Sequence, residues 1–166
     1  MDILIVYSGK YGCTEKCAKI LAEKLIGNVN LCDLNVIKEV ELSKYEKVII
    51  GGSIYGGRIR KEIQRFCEAN LNVLTGKTLG LFICGMLEDQ AEEELNNSFS
   101  SQLLTKARAK EFFGGELQVE KMSLPEKLIV KMVSKIDKNV PVFDTNQYIS
   151  TVSEQRISNF ASLMNE

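Results

Sequence analysis

Three stretches of the chain are apolar at nearly every position for the length of a strand: Ile3 to Tyr7, Lys47 to Gly52 and Thr78 to Cys84, with a weaker one over Gly115 to Val119. A strand with one wet face alternates apolar and polar residues, so unbroken runs point to strands covered on both faces, as in a parallel sheet. Between them the apolar positions recur at helical spacing. In Cys13 to Ile26 the stripe is Cys17, Ala18, Leu21, Ala22 and Leu25, and Gly27 stands where a C-terminal cap belongs. Ile63, Phe66, Cys67 and Leu71 predict a helix over Arg60 to Leu71, and a third is expected over Glu88 to Ala109, interrupted near Asn96 to Ser101. The last is predicted over Thr151 to Met164, with Thr151 and Glu154 as a capping box and Val152, Ile157, Phe160, Ala161 and Met164 as its apolar face.

Asn30 to Leu34 adds a short strand. Five strands alternating with helices predict an open, doubly wound α/β sheet with helices on both faces. The length of 166 residues suits one domain, 1–166. Pro125 and Pro141 are the only prolines, so the chain is punctuated mainly by glycine pairs at 51–52, 56–57 and 114–115. In an open α/β sheet the ligand crevice lies outside the carboxyl ends of the strands, which makes the loops there the place to look for chemistry.

Charge narrows the partners. With 21 basic and 22 acidic residues there is no overall field to attract nucleic acid, and none is expected as a partner. Met1-Asp2 leads straight into the first apolar run without a basic region or cleavage site, and no run approaches the ~20 residues of a membrane span, so a cytoplasmic protein is expected. Cys13, Cys17, Cys32, Cys67 and Cys84 are odd in number and scattered, and the chain has no histidine. Free buried thiols are expected and no metal site: Cys13 and Cys17 share a helix face, but two ligands do not close a tetrahedral shell.

The first loop, Ser8 to Thr14, joins the first strand to the first helix. A helix N-terminus offers unpaired N–H groups and the positive end of the macrodipole, so the loop is placed to hold an anion. Gly9 and Gly12 let the backbone approach it, and Ser8, Thr14 and Lys10 add donors. The glycines do not form the dinucleotide fingerprint, and Lys10 is not followed by Ser or Thr as a triphosphate loop requires, which leaves a phosphate monoester as the guest. In the second loop, Gly51-Gly52-Ser53-Ile54-Tyr55-Gly56-Gly57, a planar heterocycle could stack on Tyr55 while main-chain groups bond its rim. A phosphoacceptor receiver domain, which shares this sheet, would need carboxylates where Tyr7-Ser8-Gly9 and Gly51-Gly52-Ser53 stand.

Together the two loops resemble the flavodoxin superfamily, whose S/T-x-x-x-G-x-T motif stands here as Ser8-Gly9-Lys10-Tyr11-Gly12-Cys13-Thr14. The resemblance implies a five-stranded parallel sheet in the order 2-1-3-4-5 and FMN as cofactor. It implies binding by Ser8, Gly9, Lys10, Tyr11, Gly12, Cys13 and Thr14, by Ser53, Ile54, Tyr55, Gly56 and Gly57, and by Cys84, Gly85 and Met86 of the third loop. No catalytic side chain is expected, because the flavin carries the chemistry. "YEKVIIGGSIYGG", "FFGGEL", "KMSLPEKLIVKMVSK" and the "F-D-x-x-x-Y-I" before the last helix are similar to the branch containing menaquinone-dependent protoporphyrinogen dehydrogenases. That branch implies an oxidoreductase acting on a quinone or porphyrinogen-type substrate; the alternative is a small electron carrier serving a redox partner protein. The third loop departs from the common pattern by lacking an aromatic, so Met86 or Leu87 is expected to cover one flavin face. Arg58, Arg60 and Lys61 are more basic than the surroundings of a low-potential carrier.

The segment 123–138, "SLPEKLIVKMVSKIDK", exceeds what a short flavodoxin needs. Ser123, Pro125 and Glu126 signal a helix start, Leu128, Ile129, Met132, Val133 and Ile136 form one face, and Lys127, Lys131, Lys135 and Lys138 form another. Two expectations stand side by side: a solvated lysine stripe above a helix packed on the sheet, or a basic amphipathic helix, residues 124–138, that rests on an anionic membrane surface or guides a propionate-bearing or quinone-linked partner to the flavin edge.

Overall fold

A computed structural model describes residues 1–136 and 148–166. Along the chain run β1 (Asp2–Ser8), α1 (Cys13–Lys24), β2 (Asn28–Asp33), β3 (Lys47–Tyr55), β4 (Arg58–Ile59), α2 (Lys61–Leu74), β5 (Thr78–Cys84), α3 (Ala91–Ser98), α4 (Ser101–Lys106), β6 (Ala109–Phe112), β7 (Glu116–Gln118), α5 (Leu124–Ile136), β8 (Tyr148–Ser150) and α6 (Glu154–Asn165). The main sheet has the order β2-β1-β3-β5-β6, with all four pairings parallel. This is the expected doubly wound α/β sheet.

The unbroken apolar runs are explained by two cores, one on each face. Leu4 and Val6 of β1, Val48 and Ile50 of β3, and Leu79, Leu81 and Ile83 of β5 meet Ile63, Phe66 and Leu74 of α2 and Leu103 of α4. Their neighbours Ile3, Ile5, Tyr7, Ile49 and Phe82 point the other way, to Cys17, Ala18 and Leu21 of α1 and Ile157, Phe160 and Met164 of α6. There Phe82 stacks on Phe113 at 4.6 Å between centroids, with Phe160 edge-on to Phe113 at 5.3 Å. Room for these rings comes from missing side chains: a Cβ on Gly51 would lie 2.0 Å from Phe82, and one on Gly80 would lie 2.7 Å from Phe160. Gly51 and Gly52 are thus packing residues inside β3, not part of a loop.

Several boundaries differ from expectation. The fifth sheet strand is Ala109–Phe112; Glu116–Gln118, within the stretch expected there, pairs antiparallel with β8 in a separate ribbon. The helix expected over 88–109 is two helices, broken at Phe99 and Ser100, with Ser100 Oγ capping Leu103 N. The final helix starts on Ser153, whose Oγ accepts from Arg156 N at 3.3 Å, while Thr151 bonds Gly115 N at 3.1 Å. Leu25, in extended conformation, ends α1 ahead of Gly27. Gly56 (φ 59°) and Gly57 (φ 71°) form a two-residue turn between β3 and β4, both left-handed as a type I′ hairpin requires. Lys138, Pro141 and the "F-D-x-x-x" before Tyr148 lie outside the described residues, as do the side chains of Val133 and Ile136.

Candidate functional site

A cavity of about 430 Å³ opens at the carboxyl ends of β1, β3 and β5. The first loop forms its floor. Ser8 is fully buried, and its Oγ donates to Asn35 Oδ1 at 3.1 Å; Asn35 Nδ2 in turn donates to Gly9 O at 2.9 Å. Ser8 therefore fixes the loop from behind and does not line the cavity. Gly12 takes φ 94° on entering α1, and its carbonyl accepts the Lys16 N–H at 3.0 Å. Thr14 lines the cavity, is 1% exposed, and its Oγ1 has no hydrogen-bond partner among the described residues. A Cβ on Gly9 would stand 2.9 Å from that oxygen, so glycine there leaves the hydroxyl its place. A buried hydroxyl without a partner costs about 1–3 kcal/mol, which an anion seated on the loop would relieve.

Of the other expected residues, Lys10, Tyr11, Cys13, Ser53, Ile54 and Tyr55 line the cavity, as do Gly56, Gly57, Cys84, Gly85 and Met86. Gly9 and Gly12, like Ser8, shape the loop from outside the lining. Tyr55 is 45% exposed at the rim, and Met86 and Leu87 supply the apolar wall where an aromatic is missing.

Glu126, on the first turn of α5, was not foreseen as a site residue. Its Oε1 accepts from Tyr55 OH at 2.7 Å and pairs with Lys10 Nζ; its Oε2 accepts from Tyr11 OH at 2.5 Å and from Ser123 N at 2.8 Å. Lys10, then Tyr11 and Tyr55, hold its carboxyl well below the usual carboxylate range. Burial, then the bond to Glu126, pushes the Tyr55 phenol up to about 12. Lys10 Nζ also lies 5.0 Å above the Tyr55 ring, a cation–π distance. One carboxylate thus ties α5 to both loops, and Ile129 and Val130 behind it close one side of the cavity. The Ser123–Glu126 spacing signalled the cap; nothing in the sequence signalled the contacts across 71 to 116 residues of chain.

On the opposite wall Glu94 of α3 is 6% exposed, and its Oε2 has no partner among the described residues. Burial, then Asp89 and Glu93, raises its pKa. The outer surface of α5 is apolar: Leu124, Leu128 and Met132 are each more than half exposed, beside exposed Lys131 and Lys135. Of the expected lysine stripe, Lys131 and Lys135 are exposed and Lys127 is half-buried, and the apolar side chains Leu124, Leu128 and Met132 are not packed beneath them. Among the described residues no helix is long and apolar enough to cross a membrane.

A five-stranded doubly wound sheet with an anion-ready loop and an aromatic rim at its switch point defines a flavodoxin-like architecture. The flavodoxin domain family matches residues 4–142, and the chain belongs to that family. Protoporphyrinogen IX dehydrogenase [quinone] from Escherichia coli K12 is 21% identical over 97% of this chain and 93% of its own length. Among solved structures, a short-chain flavodoxin associated with a PDU bacterial microcompartment superposes with a TM-score of 0.59 at 14% identity, covering 99% of this chain and 96% of its own. Rubredoxin oxygen:oxidoreductase from Desulfovibrio gigas gives 0.62 at 16% identity; the match covers 99% of this chain and 35% of that one. A Fusobacterium nucleatum flavodoxin bound to flavin mononucleotide gives 0.51 at 14% identity, over 98% and 94%.

Proposed function

We propose that this protein is an FMN-binding oxidoreductase of the quinone-linked type, with residues 1–136 and 148–166 working with the rest of the chain as one unit. The observation that carries the reading is the buried, unpartnered Thr14 hydroxyl in the cavity floor, at the head of a helix and beneath an aromatic rim. The backbone N–H groups of Gly9 to Thr14, the Thr14 hydroxyl and Lys10 would hold the FMN phosphate. Tyr55 would cover one face of the ring and Met86 and Leu87 the other, with Gly85 leaving room at its edge. Bound FMN would supply hydride and single-electron transfer. The chain's part is to orient the ring, exclude water with Val130, and bias the potential upward through Arg58, Arg60 and Lys61, of which Arg60 is paired with Glu62 at 3.3 Å.

The similarity to a protoporphyrinogen IX dehydrogenase over 97% of the chain supports a quinone as acceptor and a porphyrinogen-type donor. A helix covering the crevice, with exposed apolar residues beside lysines, supports the same reading, since a lipophilic acceptor must be met at an apolar surface. The competing reading is a small carrier handing electrons to a redox partner protein. The experiment has two steps: the visible spectrum of purified protein with the released flavin identified by mass, then anaerobic reduction of the bound flavin by protoporphyrinogen IX and its reoxidation by a menaquinone analogue. A flavin-free protein that gains no flavin spectrum on titration with FMN overturns the cofactor; a flavoprotein inert to both substrates but oxidised by a carrier-dependent enzyme establishes the carrier. Peripheral membrane contact through 124–138 is expected as salt-sensitive sedimentation with anionic liposomes, lost when Lys127, Lys131 and Lys135 become Gln. No binding to anionic or neutral liposomes removes that part.

A further inference from the structure

Cys13 and Cys17 share one face of α1, and by themselves they do not make a metal site. The fold brings them a third thiol. Cys84, the last residue of β5, lies in the same core cluster, and the three sulfur atoms are all within 4.8 Å of one another. Three thiolates held at about 2.3 Å from one ion stand roughly 3.8 to 4.0 Å apart, so the cluster needs less than an ångström of contraction to close on one.

We propose that Cys13, Cys17 and Cys84 form a trigonal thiolate site for a soft monovalent cation of the Cu(I) class, set in the wall of the cavity. Coordination chemistry selects that class. Thiolate sulfur prefers soft ions, and a hard cation such as Mg²⁺ or Ca²⁺ prefers carboxylate and carbonyl oxygens, whereas among the described residues no Asp or Glu joins the three sulfurs. Zinc in a closed structural site takes four ligands; among the described residues no fourth Cys, Asp or Glu joins the group, and the chain has no histidine. A d¹⁰ monovalent ion is content with three.

The surroundings suit thiolates. Cys13 is the first residue of α1, where helix N–H groups and the macrodipole favour a negative sulfur. A cation would displace the thiol protons to solvent. An entry path exists, because Cys13 and Cys84 line the cavity while Cys17, fully buried, closes the site from behind. Cys67 is buried in the core on the other face of the sheet and serves as an internal control.

The test uses reduced, flavin-free full-length protein under anaerobic conditions, titrated with Cu(I) against the coloured chelator bicinchoninate. It contains no flavin, so its outcome is independent of the FMN reading. One equivalent of Cu(I) withheld from the chelator is expected. Cys17→Ser and Cys84→Ser should each weaken retention at least about tenfold, and Cys67→Ala should leave it unchanged. X-ray absorption of the parent protein, expected to show three sulfur scatterers around copper, decides the matter if a substitution unfolds the chain. No retention by the parent, retention unchanged in both serine variants, equal loss in Cys67→Ala, or retention of Zn(II) without Cu(I) overturns the proposal.

Discussion

At the residue scale, the site turns on polar atoms that the fold buries without partners. Thr14 is the cleanest: its hydroxyl is buried, lines the cavity and bonds nothing described. A hydrogen bond to a charged oxygen is worth about 1.5 to 3 kcal/mol, so Thr14→Ala should weaken FMN by about 10- to 100-fold, read by fluorescence quenching. Riboflavin, which lacks the phosphate, should lose nothing, and equal losses for both ligands would move the phosphate elsewhere. Gly12→Val should weaken FMN as well, because the loop takes a φ of 94° there, which a β-branched residue resists. Glu94 gives the second residue-scale prediction. Its raised pKa means that the neutral carboxyl favours the flavin-free fold; this contribution is complete below the ordinary carboxylate range and is lost as pH rises through the raised value. Glu94→Gln should therefore melt higher than the parent by a margin that widens from about pH 4 to about pH 8, both readily scanned by calorimetry. A margin independent of pH would mean that Glu94 is paired. Of the first-loop motif, Lys10, Tyr11, Cys13 and Thr14 line the cavity, as a motif whose chemistry is local would place them, while Ser8, Gly9 and Gly12 lie outside its lining. Glu94 and Glu126 were not readable in the sequence, because a carboxylate on a helix looks the same whether it faces water or a cavity.

At the element scale the decisive piece is α5. It lies over the crevice because Glu126 binds Lys10, Tyr11 and Tyr55 at once, while Leu124, Leu128 and Met132 stay exposed. Glu126→Gln keeps the size and loses the charge, so the tie should loosen: amide exchange over residues 124–132 should rise, and FMN should associate faster, with little change in the melting temperature of the sheet. Unchanged exchange there would show that α5 is held by its apolar contacts alone. Because the Glu126 pKa is depressed, its contribution is present above the ordinary carboxylate range and lost as pH falls through the lowered value, so the parent should acquire the variant's exchange pattern in acid. The same scale shows where sequence patterning stops. Long buried runs such as Thr78–Cys84 were read to the residue, since both faces are covered. The four-residue β6 was missed because only Ala109 and Phe112 are buried in it, a pattern equally at home at the end of a helix. Glu116–Gln118 has strand character, but it spends it on a ribbon with β8. The Gly56-Gly57 hairpin could have been read, as paired glycines between short β segments are its usual signature.

At the scale of the whole molecule, the sheet and the cavity are coupled through glycine. Gly51 and Gly80 let Phe82 and Phe160 fill one core, and Phe113, stacked on Phe82, runs directly into Gly114 and Gly115. Gly115 approaches the cavity wall so closely that a Cβ would lie 2.5 Å from the Gly85 carbonyl oxygen. Gly51→Ala should thus destabilise by about 1 to 3 kcal/mol through overpacking and reduce FMN affinity without touching a ligand contact. On the proposed function FMN should act on the whole fold, because a ligand that binds only the native state stabilises it. At a hundred times its dissociation constant it adds about 2.7 kcal/mol, and a chain of this length gains about 2 to 4 °C per kcal/mol, so the melting temperature should rise by about 5 to 11 °C. Riboflavin at the same concentration should give a distinctly smaller rise, since the loop and the α1 N-terminus are left without their anion. Inorganic phosphate alone should give a small one, since it fills the floor and leaves Tyr55 uncovered. If riboflavin stabilises as well as FMN, the first loop is a capped helix start only and the cavity selects the ring by its walls. If neither stabilises, the 430 Å³ space belongs to another guest.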